Sequence, residues 1–272
     1  MAKQEFQRLG FISQEHYEAT LKTLQSDFTG EYAPGGMTGC MMTRSAAEKV
    51  HRYFEAYQQN VEKWNAEPQR GAYPPRVDLT AGLPPVFNQH PRGTCVAQAV
   101  TGLANYYFGK TPVLSTEYTY GVIKQYECAK FAKAYQAFMA DPNKKDGSSL
   151  VTACRVFQQE GFCTSQVLPY DPRVIENNCG HLPMPEKAVQ DAATRRITDE
   201  LHLFRNPGDI NEFKKFLSGN NGQWAPMPVA IGVSCFASWH YSPFTKRTGW
   251  FSMPIPEDEF TGGHAMLAVG YV

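Results

Sequence analysis

The sequence predicts an α+β fold in which a helical part of the chain precedes a part made of strands. From Cys95 to about Asp199, apolar residues recur at three- and four-residue steps between capping and glycine signals, as they do in helices. After Pro226, short apolar runs alternate with glycine and proline turns, a pattern typical of strands. Because helices and strands are segregated along the chain, the pattern argues against an alternating α/β fold.

Residues 1–75 are predicted to form a separate helical extension. One helix is expected after Ser13, and a second begins at a capping box, Ser45-Ala46-Ala47-Glu48, and continues to Trp64 with one broad apolar face. A linker rich in proline and glycine follows between positions 68 and 75, where neither a helix nor a central strand is tolerated. We therefore place a domain boundary there and treat 76–272 as the main domain.

Within the main domain, three helices and three strands are predicted from the periodicity. The helices are expected from Cys95 to Gly109, from Ser149 to Gly161, and around Glu186 to Asp199. The strands are expected at 229–233, 250–255 and 264–271. A short extended segment, Pro84–Phe87, is expected to lead into the first of these helices.

Composition and charge exclude several classes of function. Lysine plus arginine equals aspartate plus glutamate at 26 each, so the net charge is zero and nothing favours nucleic acid or an anionic membrane. No apolar run reaches the ~18 residues of a membrane span, and the N-terminus lacks a secretory pattern. We therefore expect a soluble, cytoplasmic protein, although export by another route stays open. With seven cysteines and no CxxC pair, we expect reduced thiols and no structural metal, the Cys179-Gly180-His181 cluster included.

The residues around Cys95 have the pattern of an acyl-transfer site. A thiol becomes a better nucleophile when a helix N-terminus and a nearby imidazolium lower its pKa, and Cys95 begins a predicted helix. Gly93 lets the backbone turn tightly and approach a substrate. Gln89 lies six positions before the cysteine, and its side-chain amide, with the Cys95 N–H, can donate to an oxyanion. The base must come from elsewhere in the fold.

Five segments of residues 76–272 resemble, in the same order, those of papain-like cysteine peptidases. The most specific are the cysteine segment Gln89–Ala99 and the histidine strand Gly262–Tyr271. The other three are Val77–Leu79 with Leu83–Val86; Asp146–Leu150 with Gly161 and then Leu168–Tyr170; and Pro228–Val233.

The resemblance implies a two-domain papain-like fold and a peptidase that needs no cofactor. It implies a helical left domain, 76–200, and an antiparallel β right domain, 201–272. It assigns Cys95 as the nucleophile, His264 as the general base and acid, and Gln89 as the oxyanion donor. The expected partner is a peptide or protein substrate. The N-terminal extension occupies the place of the family's inhibitory propeptide, but its sequence fits a permanent extension that packs on the domain or on a partner better.

The resemblance also implies a set of substrate-binding residues. Gly147 and Ser148 match the glycine-containing segment that lines the family's substrate groove, although turn residues there would look the same. Gly263 and Ala265 flank the histidine and are placed beside the substrate's second side chain. Because both are small, the pocket for that side chain is expected to be open.

Three departures from the family pattern qualify these expectations. Arg92 stands where the family usually has a disulfide cysteine, and Val96 where it has a tryptophan, which favours a bacterial-type branch. No asparagine or aspartate follows His264 to orient its ring. The chain is therefore expected to be a fragment that stops after the histidine strand, or another group orients His264, or catalysis is impaired.

Alternative functions use the same residues. Taken alone, Cys95 fits a buried core thiol and His264 a structural histidine. A papain-fold protein that binds peptides without turnover, or an acyltransferase that uses an amine in place of water, would retain both. Rapid alkylation of Cys95 at low pH would separate an activated thiol from an inert one.

Overall fold

The computed structural model describes residues 73–130, 147–150, 152–153, 159–173, 184–197, 210–251, 254 and 258–272. The two helices predicted in the N-terminal extension and the Cys179-Gly180-His181 cluster lie outside these ranges.

The described elements are helices in the first part of the domain and a mixture of strands and short helices in the second. The helices are α1 (Cys95–Phe108), α2 (Thr116–Lys130), α3 (Glu186–Ala192), α4 (Ile210–Ser218), α5 (Ala237–Tyr241) and α6 (Pro243–Thr248). The strands are β1 (Val77–Asp78), β2 (Val229–Phe236), β3 (Phe260–Ala268) and β4 (Gly270–Tyr271). A 3₁₀ turn, Thr80–Gly82, follows β1.

The predicted helix at Cys95 and the strands at 229 and 264 are confirmed. Helix α1 begins at Cys95 and is followed by Gly109 at its C-cap. Strand β2 extends to Phe236, three residues beyond the prediction, and the predicted last strand is divided into β3 and β4. Of the predicted helix from 149 to 161, the described positions 150, 152, 153 and 159 are helical, whereas positions 149, 160 and 161 at its two ends are not.

The predicted end of one helix was wrong, and one predicted strand is not found among its described residues. Helix α3 ends at Ala192 instead of near Asp199, because the chain turns there and the carbonyl of Arg195 accepts the Phe162 N–H at 3.1 Å. The described residues of the predicted 250–255 strand, Trp250, Phe251 and Pro254, belong to no strand. Phe251 contacts Trp239 instead, with ring centroids 4.8 Å apart.

The strands form two antiparallel pairs. Strand β2 pairs with β3 in a register that places Val233 opposite His264 and Gly232 opposite Ala265. Strand β1 pairs with β4, and the two main chains approach so closely there that a Cβ at Gly270 would lie 2.1 Å from the Val77 carbonyl oxygen. The pairing joins the beginning of the main domain to its last strand.

The hydrophobic core surrounds α1, which packs against both α2 and β3. The largest fully buried apolar side chains include Tyr118, Tyr120, Phe162, Leu114 and Ile123. A hydrogen bond of 2.9 Å between the hydroxyls of Thr101 and Thr119 ties α1 to α2. Because α1 contacts β3 directly, its first residue is brought next to the histidine strand. None of the helices in the described ranges combines the length and the apolar composition that crossing a bilayer requires.

Candidate active site

Cys95 is the first residue of α1, and its side chain is buried, with 1% exposed. The unpaired N–H groups and the dipole of a helix N-terminus favour a negative charge at this position, which is the setting that lowers a thiol pKa. The thiol is reduced, and the backbone N–H of Ala265 on β3 points at its sulfur from 3.4 Å. The structure therefore brings together two residues that lie 170 positions apart in the sequence.

His264 precedes Ala265 on β3, so the same strand that contacts the sulfur carries the predicted base. Its Nδ1 atom is buried, and no hydrogen bond from the described part of the chain reaches it. An imidazole nitrogen in this state can take or give a proton without first breaking another hydrogen bond. His264 and Cys95 are thus held on two elements, α1 and β3, that pack against each other.

The predicted oxyanion donor, Gln89, is held by the turn that precedes Cys95. Its Nε2 atom donates to the carbonyl oxygen of Arg92 at 2.9 Å, which uses one of the two amide hydrogens and leaves the other for a ligand. The hydroxyl of Tyr170 donates to the Gln89 carbonyl oxygen at 2.7 Å. Gly93 lies within this turn, one position before the N-cap residue Thr94.

Arg92 is a buried cation that the sequence analysis noted only as a departure from the family. Its guanidinium makes two hydrogen bonds to the Glu117 carboxylate, at 2.5 and 3.0 Å, and a third to the Asp171 carbonyl oxygen at 2.8 Å. Burial disfavours the charged guanidinium, but the hydrogen bonds and charge of Glu117 outweigh it and raise the pKa of Arg92. The sequence offers one signal of this ion pair: Arg92 has no aspartate or glutamate close to it along the chain, so a buried arginine there needs a distant carboxylate.

The two predicted groove residues, Gly147 and Ser148, lie next to a second buried ion pair, which is formed by Lys124 and Glu127. Lys124 donates to the Gly147 carbonyl oxygen, and Glu127 accepts the Ser149 N–H at 3.0 Å. The two charged side chains are 3.6 Å apart and at most 4% exposed. Gly147 and Ser148 are both buried, main chain included, whereas the next two residues, Ser149 and Leu150, are partly exposed. The predicted contact of Gly147 and Ser148 with a substrate stays a prediction.

Gly263 and Ala265 are both buried beside His264, and Ala265 belongs to the same core cluster as Cys95. The small side chain of Ala265 allows its amide to approach the sulfur. The open pocket expected there for a substrate side chain stays a prediction.

A second histidine, His240 on α5, was missed by the sequence analysis. Its Nε2 atom lies 3.1 Å from the Thr261 hydroxyl on β3. The pKa of His240 is lowered, first because it is partly buried and then because the charges of His264 and Lys246 repel a proton there. No motif singles out this residue, because only a tertiary contact, that of His240 with Thr261 on β3, places it next to the strand that carries His264.

Within the described ranges, no group of three or more histidine, cysteine or acidic side chains is arranged to hold a metal ion.

The sequence matches no protein-family model, and no curated protein shows significant sequence similarity to it. Among solved structures, the fold is similar to xylellain, a cysteine protease from Xylella fastidiosa, with a TM-score of 0.52 and 24% identity over 74% of this chain and 70% of that one. Weaker similarities are to proCathepsin B S9 from Trypanosoma congolense (TM-score 0.45, 11% identity, 95% and 82% covered) and to a structure concerning the mite allergens Blo t 1 and Der p 1 (0.40, 15%, 99% and 84%). Because its fold is similar to that of xylellain and its helices precede antiparallel strands, the chain has the papain-like cysteine protease fold.

Proposed function

We propose that this chain is a papain-like cysteine peptidase in which Cys95 is the nucleophile, His264 is the general base and acid, and Gln89 is an oxyanion donor. The observation that carries the proposal is the contact between the Cys95 sulfur, at a helix N-terminus, and the amide of the residue that follows His264. A cleft between a helical lobe, 76–200, and a strand-rich lobe, 201–272, is part of the proposal. Residues 1–75 would form a helical N-terminal extension.

In the first half of the proposed reaction, the Cys95 thiolate attacks the carbonyl carbon of a peptide bond and forms a carbon–sulfur bond. The carbonyl electrons move to oxygen, and the Cys95 N–H and the second Gln89 amide hydrogen stabilise this oxyanion. When the oxyanion collapses, the carbon–nitrogen bond breaks and the His264 imidazolium protonates the leaving amine. The products are a free amine and a thioester on Cys95.

In the second half, His264 accepts a proton from water while the water oxygen attacks the thioester carbon. The second tetrahedral intermediate is held by the same two donors and collapses with loss of the thiolate. The carboxylic acid leaves, and the Cys95–His264 pair returns to its starting state. An amine in place of water would give acyl transfer with the same residues.

The substrate-binding part of the proposal is a groove beside the segment that contains Gly147 and Ser148, of which the following residues Ser149 and Leu150 are partly exposed. The buried Lys124–Glu127 pair supports this segment from below. The small residues Gly263 and Ala265 would lie beside the substrate's second side chain. Gly93 would allow the backbone near Cys95 to approach the scissile bond.

The test is hydrolysis of a mixed fluorogenic peptide library by the wild-type chain, by Cys95→Ser and by Cys163→Ala. We expect activity in the wild type, its loss in Cys95→Ser, and its retention in Cys163→Ala, which removes a buried thiol outside the site. Mass spectrometry with an added amine would distinguish hydrolysis from acyl transfer. A wild-type chain that neither cleaves peptides nor reacts rapidly at Cys95 would refute the peptidase proposal and leave the peptide-binding alternative.

A further inference from the structure

The turn that precedes Cys95 is held by a buried arginine. The Arg92 side chain is 2% exposed and is fixed at three points, two on the Glu117 carboxylate and one on the Asp171 carbonyl oxygen. Its guanidinium carbon also lies 4.7 Å from the centre of the Tyr170 ring, within cation–π range. A cation held by a bidentate carboxylate, a carbonyl and an aromatic ring has very little freedom to move.

The main chain of the same residue holds the proposed oxyanion donor. The Arg92 carbonyl oxygen accepts the Gln89 side-chain amide at 2.9 Å and the Thr94 N–H at 2.9 Å. The Arg92 N–H donates in turn to the Gln89 carbonyl oxygen at 3.3 Å. Because both lone pairs of one carbonyl are used, the position of the Gln89 amide follows the position of the Arg92 peptide unit.

Tyr170 makes hydrogen bonds to two residues of the same turn. Its hydroxyl donates to the Gln89 carbonyl oxygen at 2.7 Å, and it therefore accepts from the Thr94 hydroxyl at 2.9 Å. The Thr94 hydroxyl makes no capping bond to α1. Tyr170 thus ties the residue that carries the side-chain donor to the residue that directly precedes the Cys95 N–H.

We propose that Arg92 and Tyr170 are positioning residues for the oxyanion site, which keep the Gln89 amide at a fixed distance from the Cys95 N–H. This inference rests on the proposed peptidase function. Oxyanion donors are effective only when they are already in place as the charge develops, and a small displacement removes much of their effect. The ion pair of Arg92 with Glu117 supplies that rigidity through the main chain instead of through contact with the substrate.

Alkylation of Cys95 and peptide hydrolysis depend on different groups of the site. Alkylation of Cys95 by iodoacetamide occurs at a saturated carbon and forms no oxyanion, so its rate depends on the thiolate alone. Peptide hydrolysis needs both the thiolate and the oxyanion donors. A residue that positions Gln89 should therefore affect hydrolysis and leave alkylation nearly unchanged.

The experiment compares Tyr170→Phe, which removes only a hydroxyl, and Arg92→Lys with the wild type. We expect kcat to fall about 10-fold or more with KM within about 2-fold, part of the 10²–10³-fold loss typical of deleting an oxyanion donor. The alkylation rate should stay within about 2-fold. The control is Arg195→Lys, whose arginine pairs with Asp191 at 3.1 Å outside the site, and it should leave both rates unchanged.

A double-mutant cycle decides whether the residues act through Gln89. In a Gln89→Ala background, Tyr170→Phe should lower kcat no further, because the group that it positions is absent. Additive losses, parallel losses in alkylation, or unchanged hydrolysis in Tyr170→Phe would each overturn the inference while the peptidase proposal stands. A wild type that is inactive in both assays would overturn the peptidase proposal, and the inference with it.

Discussion

The described thiols have very different surroundings. Burial, followed by the charge of Asp191, raises the pKa of Cys163 to about 12. Burial, followed by the charge of Cys95, raises the pKa of Cys235 to about 11. Both side chains are therefore protonated near neutral pH, whereas Cys95 begins a helix whose dipole favours the thiolate.

This difference predicts selective labelling. In the native protein at about pH 6, iodoacetamide should modify Cys95 well before Cys163 and Cys235, because only the thiolate reacts. Peptide mapping by mass spectrometry after a time course measures the order. The unfolded protein serves as the control, since all thiols should then react at similar rates. Equal labelling of Cys95 and Cys235 in the native state would contradict an activated Cys95.

His240 predicts a pH dependence of stability. Its pKa in the folded protein lies below the ordinary value of 6.5, so between these two values the unfolded chain binds more protons. The free energy of unfolding should therefore fall as the pH drops below about 6.5. Replacement by His240→Gln removes this component.

Chemical denaturation at pH 7.5 and pH 5 measures the effect. The difference in unfolding free energy between the wild type and His240→Gln should be smaller at pH 5 than at pH 7.5. A difference that is the same at both pH values would show that neither burial nor the charges of His264 and Lys246 lower the pKa of His240 in the folded protein.

Helix α2 carries two buried charged side chains. The sequence pattern predicted only that this region of the chain is helical. Lys124 and Glu127 lie one helical turn apart and face the segment 147–149. Because these two charged residues interrupt the apolar face of α2, its periodicity did not predict an individual helix. The same charges connect the helix to the proposed groove.

Removing one of these charges should affect stability and substrate binding together. Glu127→Gln removes the negative charge that lies 3.6 Å from the buried Lys124 ammonium, and we expect the free energy of unfolding to fall by about 3–5 kcal/mol. The KM for peptides should rise more than kcat falls, because the supported segment binds ground and transition states alike. Denaturation and steady-state kinetics measure the two effects. Arg173→Gln, which breaks an ion pair with an 88% exposed arginine, is the matched control and should change neither.

The two parts of the molecule share one core through the packing of α1 on β3. Ala265 of the strand-rich part belongs to the same buried cluster as Cys95, Val96 and Ala97 of α1. A joint core of this kind couples the folding of both parts, so we expect them to unfold together.

Two spectroscopic probes test this coupling. Three of the four tryptophans, at 224, 239 and 250, lie after the helical part, while most described helical residues precede them. In Trp64→Phe, tryptophan fluorescence reports the strand-rich part and far-UV circular dichroism reports mainly the helices. The two denaturation midpoints should coincide within error. Separate transitions would show that the lobes are independent folding units.

Local periodicity determined much of the fold. The start of α1 at Cys95 follows from the helical spacing of apolar residues, and strands β2 and β3 follow from short apolar runs between turn residues. Helices α5 and α6 were not predicted, because they are only five and six residues long and carry no periodic pattern. The aromatic run at 250 resembled a strand in sequence, but no partner strand is assigned to its described residues.

Residue type, order and neighbouring glycines are enough to mark Gln89, Cys95 and His264 as candidates for chemistry. Their catalytic roles stay predictions. The contacts around these residues are visible in the folded chain alone: Arg92 with Glu117, Tyr170 with Gln89, and His240 with Thr261. These pairs join positions 21 to 81 residues apart, and no local rule of spacing encodes such contacts. They arise because packing places the residues together, and burial then requires each polar group to find a partner.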